Sequence, residues 1–492
     1  MIEMTLGEVA AAVEGQLAGA PAETPVTGTV EYDSRKVGPG GLFVAFIGEN
    51  ADGHEFAGAA IAAGAAAVIG TRAVDGPHIL VADPLVAMAR LARAVVDLLP
   101  ELTVIGLTGS SGKTTTKDLI AQVTEKLGPT VAPAGTFNNE LGHPYTVLRA
   151  DPDTRYLVLE MGARGIGHIR YLCGIARPRI GIVLNVGVAH LGEFGSQDQI
   201  ALAKGELVEA LPAGEASGSR GLADVSSPHA STGGVAILNA DDPRVAAMAS
   251  RTAARVVMVG ESPGADVRAT DVSLDERGRP AYTLVMPSGS AAVRLGVSGR
   301  HQVGNTLVAA AVAGELGAAP EEIAQWLGDL RLVSTRRMDV FDRANDVTVI
   351  DDSYNANPAS TAAALNALTA IGDGRRRIAV LGYMAELGEY ERAGHEEVGR
   401  LAATLGVDLL VVVGEPAAPI HDGAVAVADW GGKSVQVTDQ DAAVALLRDE
   451  LRARDVVLVK GSRYRTWAVA DALRETGDGA LGAAGGVMEA DS

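Results

Sequence analysis

The sequence predicts an α/β protein with mostly parallel sheets, organised in three domains. Short apolar strands alternate with amphipathic helical segments along most of the chain, and this alternation is typical of parallel sheets joined by helical crossovers. Hydrophobic residues make up 47% of the chain but aromatic residues only 4%, so its cores are built from aliphatic side chains. A length of 492 residues corresponds to about three domains of ordinary size.

Residues 1–100 are predicted to form a small α/β domain. Apolar spacing indicates strands at 41–48, 65–70 and 78–83 and helices around 56–64 and 85–99. A polar loop, Asp33-Ser34-Arg35, precedes them. This loop is either an ordinary turn or a recognition element, because Arg35 could form paired hydrogen bonds with a charged group of a ligand.

A glycine-rich loop opens the second predicted domain, residues 101–328. The loop follows an apolar strand at 102–107 and precedes a helix in which Leu119, Ile120 and Val123 repeat at helical spacing. It consists of Thr108, Gly109, Ser110, Ser111, Gly112, Lys113, Thr114 and Thr115. Strand, glycine loop and helix in this order form the context of a phosphate-binding loop. We therefore predict a mononucleotide-binding domain with a parallel sheet, in which Lys113 contacts the outer phosphates and Thr114 faces Mg²⁺.

The loop departs from the usual GxxxxGK[ST] pattern at one position. Leu107 stands where that pattern has glycine. Two interpretations follow: Gly109 makes the turn in a shorter variant of the phosphate loop, or the segment is an ordinary glycine-rich loop.

Two strand ends supply polar residues at the sheet edge where ligands of open α/β sheets bind. Glu160 ends the apolar strand at 156–160, and in phosphate-loop enzymes an acid at the end of a neighbouring strand commonly holds Mg²⁺. Asn185, His190 and Glu193 lie at or just after the end of the strand at 180–186. A lone loop histidine is usually solvated, but His190 close to Glu160 would complete a metal site.

Other polar residues of this domain are harder to interpret. Lys204 lies in an apolar helix, and its pattern alone favours a side chain that reaches solvent. His301 and Asn305 are four residues apart at the start of an alanine-rich helix and therefore share a face. Residues 213–234 are rich in Ser, Gly and Ala without periodicity, which indicates a surface insertion.

Residues 329–492 are predicted to form a Rossmann-like third domain. Strands near 347–351, 376–382, 408–413, 434–438 and 455–460 alternate with helices, as in a doubly wound parallel sheet. Polar loops follow three of these strands, at 351–358, 386–389 and 460–463, and we expect them at one edge of the sheet. The last residues, about 476–492, are predicted to be a disordered tail.

Charge and cysteine content exclude several classes of function. A formal net charge of −20 argues against a general surface for nucleic acid or anionic membrane. Cys173 is the only cysteine, so no internal disulfide can form. No uninterrupted apolar stretch approaches the length of a membrane span, and the N-terminus lacks the pattern of a signal peptide. We expect a soluble, cytoplasmic protein.

Taken together, the motifs resemble those of the Mur ligases, which build the peptide of bacterial cell-wall precursors. Six motifs occur in the family's order: TGSSGKTT (108–115), LEMGA (159–163), NVGVAHL (185–191), AKGEL (203–207), LNADDPRV (238–245) and GRH followed by Asn305 (299–305). Four further segments are similar to the members that add D-alanyl-D-alanine to a UDP-N-acetylmuramoyl-tripeptide: FNNELGHP (137–144), DDSYNANP (351–358), MAELGE (384–389) and LVKGSR (458–463).

The resemblance implies roles for individual residues. It places ATP on residues 108–115 and on His301, Asn305, Arg337, Asp351 and Asn355. It implies two Mg²⁺ ions, with Thr114, Glu160, His190 and Lys204 as ligands, the lysine as a CO₂-derived carbamate. It assigns catalysis to Lys113, Lys204, His190 and Glu160, and substrate binding to Ser34, Arg35, Asn138, Asn139, Tyr354, Asn357, Lys460 and Ser462.

The implied reaction is amide formation through an acyl phosphate, by a monomer that binds neither nucleic acid nor membrane. Two alternatives stay open. One is a different ligase of this architecture, such as another Mur ligase or a folylpoly-γ-glutamate synthase. The other is a nucleotide-dependent binding or regulatory protein that has lost acyl transfer.

Overall fold

The computed structural model describes residues 1–188, 191–213, 233–343 and 346–474. The chain divides into two compact units. The first consists of Met1–Thr335 with Asn357–Ala363 and Glu386–Glu391, and the second contains the remainder.

The N-terminal part of the first unit contains a five-stranded sheet. Its strand order is β2-β7-β6-β5-β4, with only β2 antiparallel to its neighbour. The elements are β1 (Met4–Thr5), α1 (Leu6–Ala12), β2 (Gln16–Ala18), β3 (Pro25–Val26), β4 (Val30–Glu31), β5 (Leu42–Val44), α2 (Ala57–Ala62), β6 (Ala67–Gly70), β7 (His78–Leu80) and α3 (Pro84–Asp97). The short strands β1 and β3 pair separately.

A nine-stranded sheet dominates the rest of this unit. Its order is β16-β15-β14-β13-β12-β11-β8-β10-β9, parallel from β9 to β14 and antiparallel in the ribbon β14-β15-β16. The strands are β8 (Thr103–Thr108), β9 (Thr130–Val131), β10 (Tyr156–Glu160), β11 (Ile180–Val183), β12 (Val235–Asn239), β13 (Arg255–Gly260), β14 (Val267–Leu274), β15 (Pro280–Met286) and β16 (Gly289–Arg294). The helices are α4 (Lys113–Glu125), α5 (Gly142–Val147), α6 (His168–Ala176), α7 (Leu191–Phe194), α8 (Gln197–Glu209), α9 (Pro243–Ala246), α10 (Gln302–Glu315) and α11 (Pro320–Asp329).

Alternating residues of β8 serve two cores. Ile105 and Leu107 pack with α4 and α10 on one face, whereas Val104 belongs to the core formed by α3, α5 and α6 on the other. This is the period-two pattern of a central strand, and burial on both faces explains why β8 is a continuous apolar run in the sequence.

The second unit contains a six-stranded sheet with the order β17-β18-β22-β19-β20-β21, in which only β17 is antiparallel. The elements of the C-terminal segment are β17 (Asp339–Asp342), β18 (Thr348–Asp351), α12 (Pro358–Ile371), β19 (Arg377–Leu381), α13 (Glu391–Thr404), β20 (Leu409–Val413), α14 (Ala418–Val425), β21 (Lys433–Val437), α15 (Gln440–Glu450), β22 (Val456–Lys460) and α16 (Trp467–Arg474).

The structure confirms the predicted α/β class and its mostly parallel sheets. Every strand predicted in the third domain is present, within one or two residues of its expected position. The sequence pattern did not identify β17, an edge strand of four residues. The predicted domain boundaries near 100 and 328 stay predictions.

Two predicted segments fall on parts that are not described. Most of the insertion at 213–234 and the tail at 476–492 lie outside the described residues. Within the described ranges, no helix is both long and apolar enough to span a membrane.

Candidate functional site

The glycine-rich loop lies at the topological switch point of the nine-stranded sheet. Strand β8 is flanked by β10 on one side and β11 on the other. The chain leaves β8 through α4, adds β9 and β10 on the first side, and then crosses to β11 on the second. In open parallel sheets, ligands bind at the carboxyl ends of the strands where the order reverses in this way.

Two glycines give the loop its shape. Gly112 precedes α4 with φ +78°, in the left-handed region. A Cβ on Gly109 would lie 2.9 Å from the Cβ of Leu184, so that position has no room for a side chain. Leu107, in contrast, points into the core. These contacts favour the interpretation in which Gly109 takes the role that the usual pattern gives to the residue at 107.

We expect Gly112→Ala to weaken ADP binding by about tenfold, because alanine resists the left-handed conformation by about 1–2 kcal/mol. A Cβ at residue 112 would also lie 3.1 Å from the Asn305 side-chain oxygen. Gly174→Ala is the matched control, since Gly174 lies within α6 with open space around it. Calorimetric titration with ADP measures the effect, and equal affinity of the two variants would contradict this role of Gly112.

Asn185 holds the loop from the neighbouring strand. Its side-chain oxygen accepts hydrogen bonds from the backbone N–H groups of Ser110 and Ser111 at 3.0 and 2.9 Å, and its amide nitrogen donates to the Ser111 carbonyl. The Gly187 N–H donates to the Ser110 hydroxyl at 2.9 Å. The segment after β11 therefore fixes the loop through side-chain contacts that span about 75 residues of sequence.

The two lysines that were predicted to act at this site are Lys113 and Lys204. The Lys113 ammonium donates to the Gly109 carbonyl at 2.9 Å, across the loop. Lys204 is only 4% exposed, so the expectation that its side chain reaches solvent is wrong. Burial lowers the pKa of Lys204 well below its usual value, and the positive charge of Lys113 lowers it further. Both effects shift Lys204 toward its neutral amine form.

A hydroxyl and a carboxylate meet beside the loop. The Thr114 hydroxyl donates to Glu160 at 2.8 Å, and the Asn138 amide donates to the other carboxylate oxygen of Glu160 at 2.7 Å. Glu160 is 1% exposed. The Thr136 hydroxyl lies 3.1 Å from that of Thr114; sequence reasoning missed Thr136, although it stands next to the FNNELGHP motif. The structure thus brings Thr114, Asn138 and Glu160 together.

The donor set at this point suits Mg²⁺. A buried carboxylate and a threonine hydroxyl are hard oxygen ligands, and Mg²⁺ is commonly held by one or two carboxylates together with substrate phosphates. Across the described ranges, no three His, Cys, Asp or Glu side chains form a cluster that could hold a metal by themselves. His190 lies outside the described residues, so its role as a ligand stays a prediction.

Residues at the start of α10 lie next to the loop. His301 immediately precedes this helix, and Asn305 lies in its first turn. The Asn305 amide donates to the Gln302 side chain at 2.9 Å, which directs its oxygen toward Gly112. The predicted nucleotide residue Asn305 is therefore a neighbour of the phosphate loop.

The other predicted substrate residues of the first unit already make local contacts. The Arg35 guanidinium forms two hydrogen bonds of 2.9 Å with Asp33, which lowers the pKa of that carboxyl, and Ser34 lies between them in sequence. Asn139 accepts the Gly142 N–H at the start of α5. Asn357 accepts the Ser360 N–H at the start of α12. Substrate roles for these residues stay predictions.

The second unit gathers charged and aromatic groups at the end of β18. Asp351 is buried and accepts two hydrogen bonds from Ser353. Burial raises the pKa of Asp351, and the Ser353 bonds and nearby arginines oppose that rise. The Arg337 guanidinium lies 4.2 Å from the ring centre of Tyr354, a cation–π distance.

Lys460 and Ser462 connect the loops of this sheet, as expected for strands that end at one edge. Lys460, at the end of β22, forms an ion pair with Asp352 and donates to the Asn355 carbonyl at 2.9 Å. The Ser462 hydroxyl donates to the Tyr383 carbonyl and accepts the Ala385 N–H. The loops after β18, β19 and β22 are therefore linked by hydrogen bonds.

The fold and the loop define a phosphate-loop nucleotide-binding protein. Beside the loop, a hydroxyl and a carboxylate provide oxygen ligands that suit Mg²⁺. Models of three families match the chain: "Mur ligase family, catalytic domain" at residues 28–100, "Mur ligase middle domain" at 107–313 and "Mur ligase, glutamate ligase domain" at 336–463. With the relatives described next, these matches show that the chain belongs to the Mur ligase family.

Relatives and solved structures named as ligases of this family match almost the whole chain. A UDP-N-acetylmuramoyl-tripeptide–D-alanyl-D-alanine ligase of Mycobacterium tuberculosis is 50% identical over 96% of this chain and 98% of its own length. The crystal structure of MurF from Acinetobacter baumannii has a TM-score of 0.83 at 31% identity and covers 96% of this chain and 99% of that one. MurF ligase from Thermotoga maritima in complex with ADP has a TM-score of 0.75 at 29% identity, with coverage of 91% and 97%.

Proposed function

We propose that this protein is the ATP-dependent ligase that joins D-alanyl-D-alanine to a UDP-N-acetylmuramoyl-tripeptide in peptidoglycan synthesis. The observation that carries the proposal is the buried Thr114–Glu160 pair beside the phosphate loop, within a chain that is 50% identical to a ligase of that name. The reaction forms a carbon–nitrogen bond and converts ATP to ADP and phosphate.

The first step requires the phosphate loop. The terminal carboxylate of the tripeptide attacks the γ-phosphorus of ATP, the bond to the bridging oxygen breaks, and an acyl phosphate and ADP result. Phosphoryl transfer leaves little covalent work to the protein, so positioning and charge neutralisation dominate. Lys113 and the N–H groups of residues 109–115 would neutralise the charge on the phosphates, and Asn305, beside Gly112, and His301 would face the nucleotide.

Magnesium would be held by Thr114 and Glu160, together with the phosphate oxygens. When bound, it withdraws charge from the phosphoryl oxygens. Asn138 fixes the orientation of the Glu160 carboxylate through its hydrogen bond. Thr136 keeps the Thr114 hydroxyl in place.

We further propose that Lys204 carries a carbamate. A neutral amine attacks CO₂, a new N–C bond forms, and one proton is released, so the side chain changes from a potential cation to an anion. Two properties support this: Lys204 is buried, and burial together with the nearby Lys113 charge lowers the pKa of its amine, which shifts it toward the reactive neutral form. A carbamate would also supply a carboxylate-like oxygen ligand and offset the positive charge of Lys113.

The second step requires the amine of D-alanyl-D-alanine. The amine attacks the acyl carbon, a tetrahedral intermediate collapses, the bond to the phosphate oxygen breaks, and the amine proton passes to solvent or to a base. We assign recognition of the dipeptide to Tyr354, Asn357, Lys460 and Ser462. Nucleotide contacts are assigned to Arg337, Asp351 and Asn355. Ser34, Arg35 and Asn139 are assigned to the UDP-linked substrate.

We also propose that the enzyme acts as a cytoplasmic monomer without nucleic-acid or membrane partners. The net charge of −20 supports the last point, because polyanions and anionic bilayers repel such a surface. The oligomeric state is measured directly by sedimentation.

The proposed reaction is tested by phosphate release with ATP, Mg²⁺ and UDP-N-acetylmuramoyl-tripeptide. We expect turnover when D-alanyl-D-alanine is added and none when diaminopimelate or glutamate replaces it. Mass spectrometry of the product then distinguishes amide formation from ATP hydrolysis. Turnover with diaminopimelate or glutamate alone would assign the chain to a different ligase, and nucleotide binding without any turnover would favour a regulatory protein.

A further inference from the structure

Helix α4 carries three polar side chains that the proposed reaction does not use. Lys117 and Asp118 lie in the second turn of this helix and Gln122 in its third. Their partners lie on two separate segments of the first unit: the loop 133–138 and the linker 331–334, which connects α11 to the second unit.

Lys117 is completely buried and fully hydrogen-bonded. Its ammonium donates to the carbonyls of Pro133 and Gly135 and forms an ion pair of 2.7 Å with Asp118. Three donors therefore meet three acceptors, which is the condition for a buried lysine to be tolerated. The carbonyls belong to the loop that places Thr136 and Asn138 beside the candidate magnesium site.

Asp118 and Gln122 hold the linker. Asp118 accepts a hydrogen bond of 2.5 Å from the Ser334 hydroxyl. Gln122 donates to the Arg331 carbonyl at 2.9 Å and accepts the Arg331 N–H at 3.0 Å. The two side chains are four residues apart and share one face of α4. The linker is thus attached to the helix that begins at the phosphate loop.

We propose that Lys117, Asp118 and Gln122 are positioning residues that make the phosphate loop, the loop 133–138 and the linker 331–334 one rigid body. Nucleotide bound at the N-terminus of α4 then stabilises the linker 331–334, which precedes the second unit in the chain. This proposal rests on the proposed function, because that function assigns Tyr354, Lys460 and Ser462 of the second unit to recognition of the dipeptide. The proposal predicts different effects on turnover and on nucleotide affinity. The attachment of the linker mainly governs turnover, whereas the phosphate loop itself mainly governs nucleotide affinity.

The experiment uses the full chain with the double substitution Gln122→Met and Ser334→Ala. Methionine fills the volume of glutamine without its hydrogen bonds, and both sites are only partly buried. We expect the saturated rate of phosphate release to fall about tenfold, the scale of a few lost hydrogen bonds. ADP affinity should fall much less, by about twofold, and by the same factor by which ADP slows exchange of the linker amides, because the coupling is reciprocal. Glu125→Met, on the same helix but exposed, is the control and keeps the wild-type rate, as does the conservative Ser334→Thr.

Hydrogen exchange gives a second measurement that does not depend on catalysis. We expect ADP to slow exchange of the 331–334 amides in the wild type and to have no such effect in the double variant. An unchanged rate of phosphate release, a loss of ADP affinity as large as the loss of rate, or equal slowing by ADP in both proteins would each overturn the proposal. If even the wild type fails to turn over D-alanyl-D-alanine, the proposed function fails, and hydrogen exchange still decides whether α4 is coupled to the linker.

Discussion

Replacing Lys113 with alanine is expected to lower the rate of phosphate release by about 10³-fold, the largest effect of any substitution in the phosphate loop. Lys113 follows Gly112 directly, and its ammonium already folds back across the loop to the Gly109 carbonyl. Removing it leaves the charge that develops on the transferred phosphoryl group without the one cationic side chain that residues 108–115 supply. The rate is measured at saturating ATP and substrates, so that a loss in turnover is separated from a loss in affinity.

Lys126→Ala is the matched control for this experiment. Lys126 is an exposed lysine at the opposite end of the same helix, with α4 ending one residue earlier. The control variant loses the same charge and the same side-chain length but should keep the wild-type rate. A Lys113→Ala protein that turns over like the control would show that this loop does not hold the reacting phosphates.

The sequence was sufficient for most of the fold because the relevant signals are local. Strand β8 is buried on both faces and therefore reads as a continuous apolar run, and α4 follows with helical spacing. The alternation of strands and helices alone predicts that β18, β19 and β22 are parallel and that their carboxyl ends lie at one edge of the sheet. Leu107 was ambiguous in sequence, since only the close contact of Gly109 with Leu184 shows which residue must be glycine.

The contacts that assemble the site could not be predicted in the same way. Thr136, Asn185 and Lys117 act through hydrogen bonds to segments far from them in sequence or to backbone carbonyls. Such bonds depend on the exact position of a loop, and residue type carries little information about it. Lys204 shows the same difficulty: apolar spacing suggested a side chain in solvent, but packing of α8 against the sheet buries it.

Burial of a lysine without a neutralising partner is costly unless the amine is neutral or modified. Burial lowers the pKa of Lys204, and the positive charge of Lys113 lowers it further. Two cations at one phosphate site would be mutually unfavourable, whereas a cation and a carbamate would complement each other. The charge interaction between Lys113 and Lys204 thus connects the effect expected for Lys113→Ala with the one expected for Lys204→Ala.

Replacing Lys204 with alanine is expected to lower the rate of phosphate release by about 10²–10³-fold, since removal of one group that stabilises developing charge has effects of this size. Lys204→Glu should recover about tenfold of that loss, because it restores an anion at the same position of α8, although with a shorter side chain. Lys204→Gln is the control, since it matches glutamate in size but has no charge and should resemble alanine.

In the wild type, removing dissolved CO₂ should lower the rate and bicarbonate should restore it, with no response in the glutamate variant. Equal rates for the glutamate and glutamine variants, together with a wild type whose rate does not respond to bicarbonate, would argue against the carbamate and leave Lys204 as a buried, unmodified side chain.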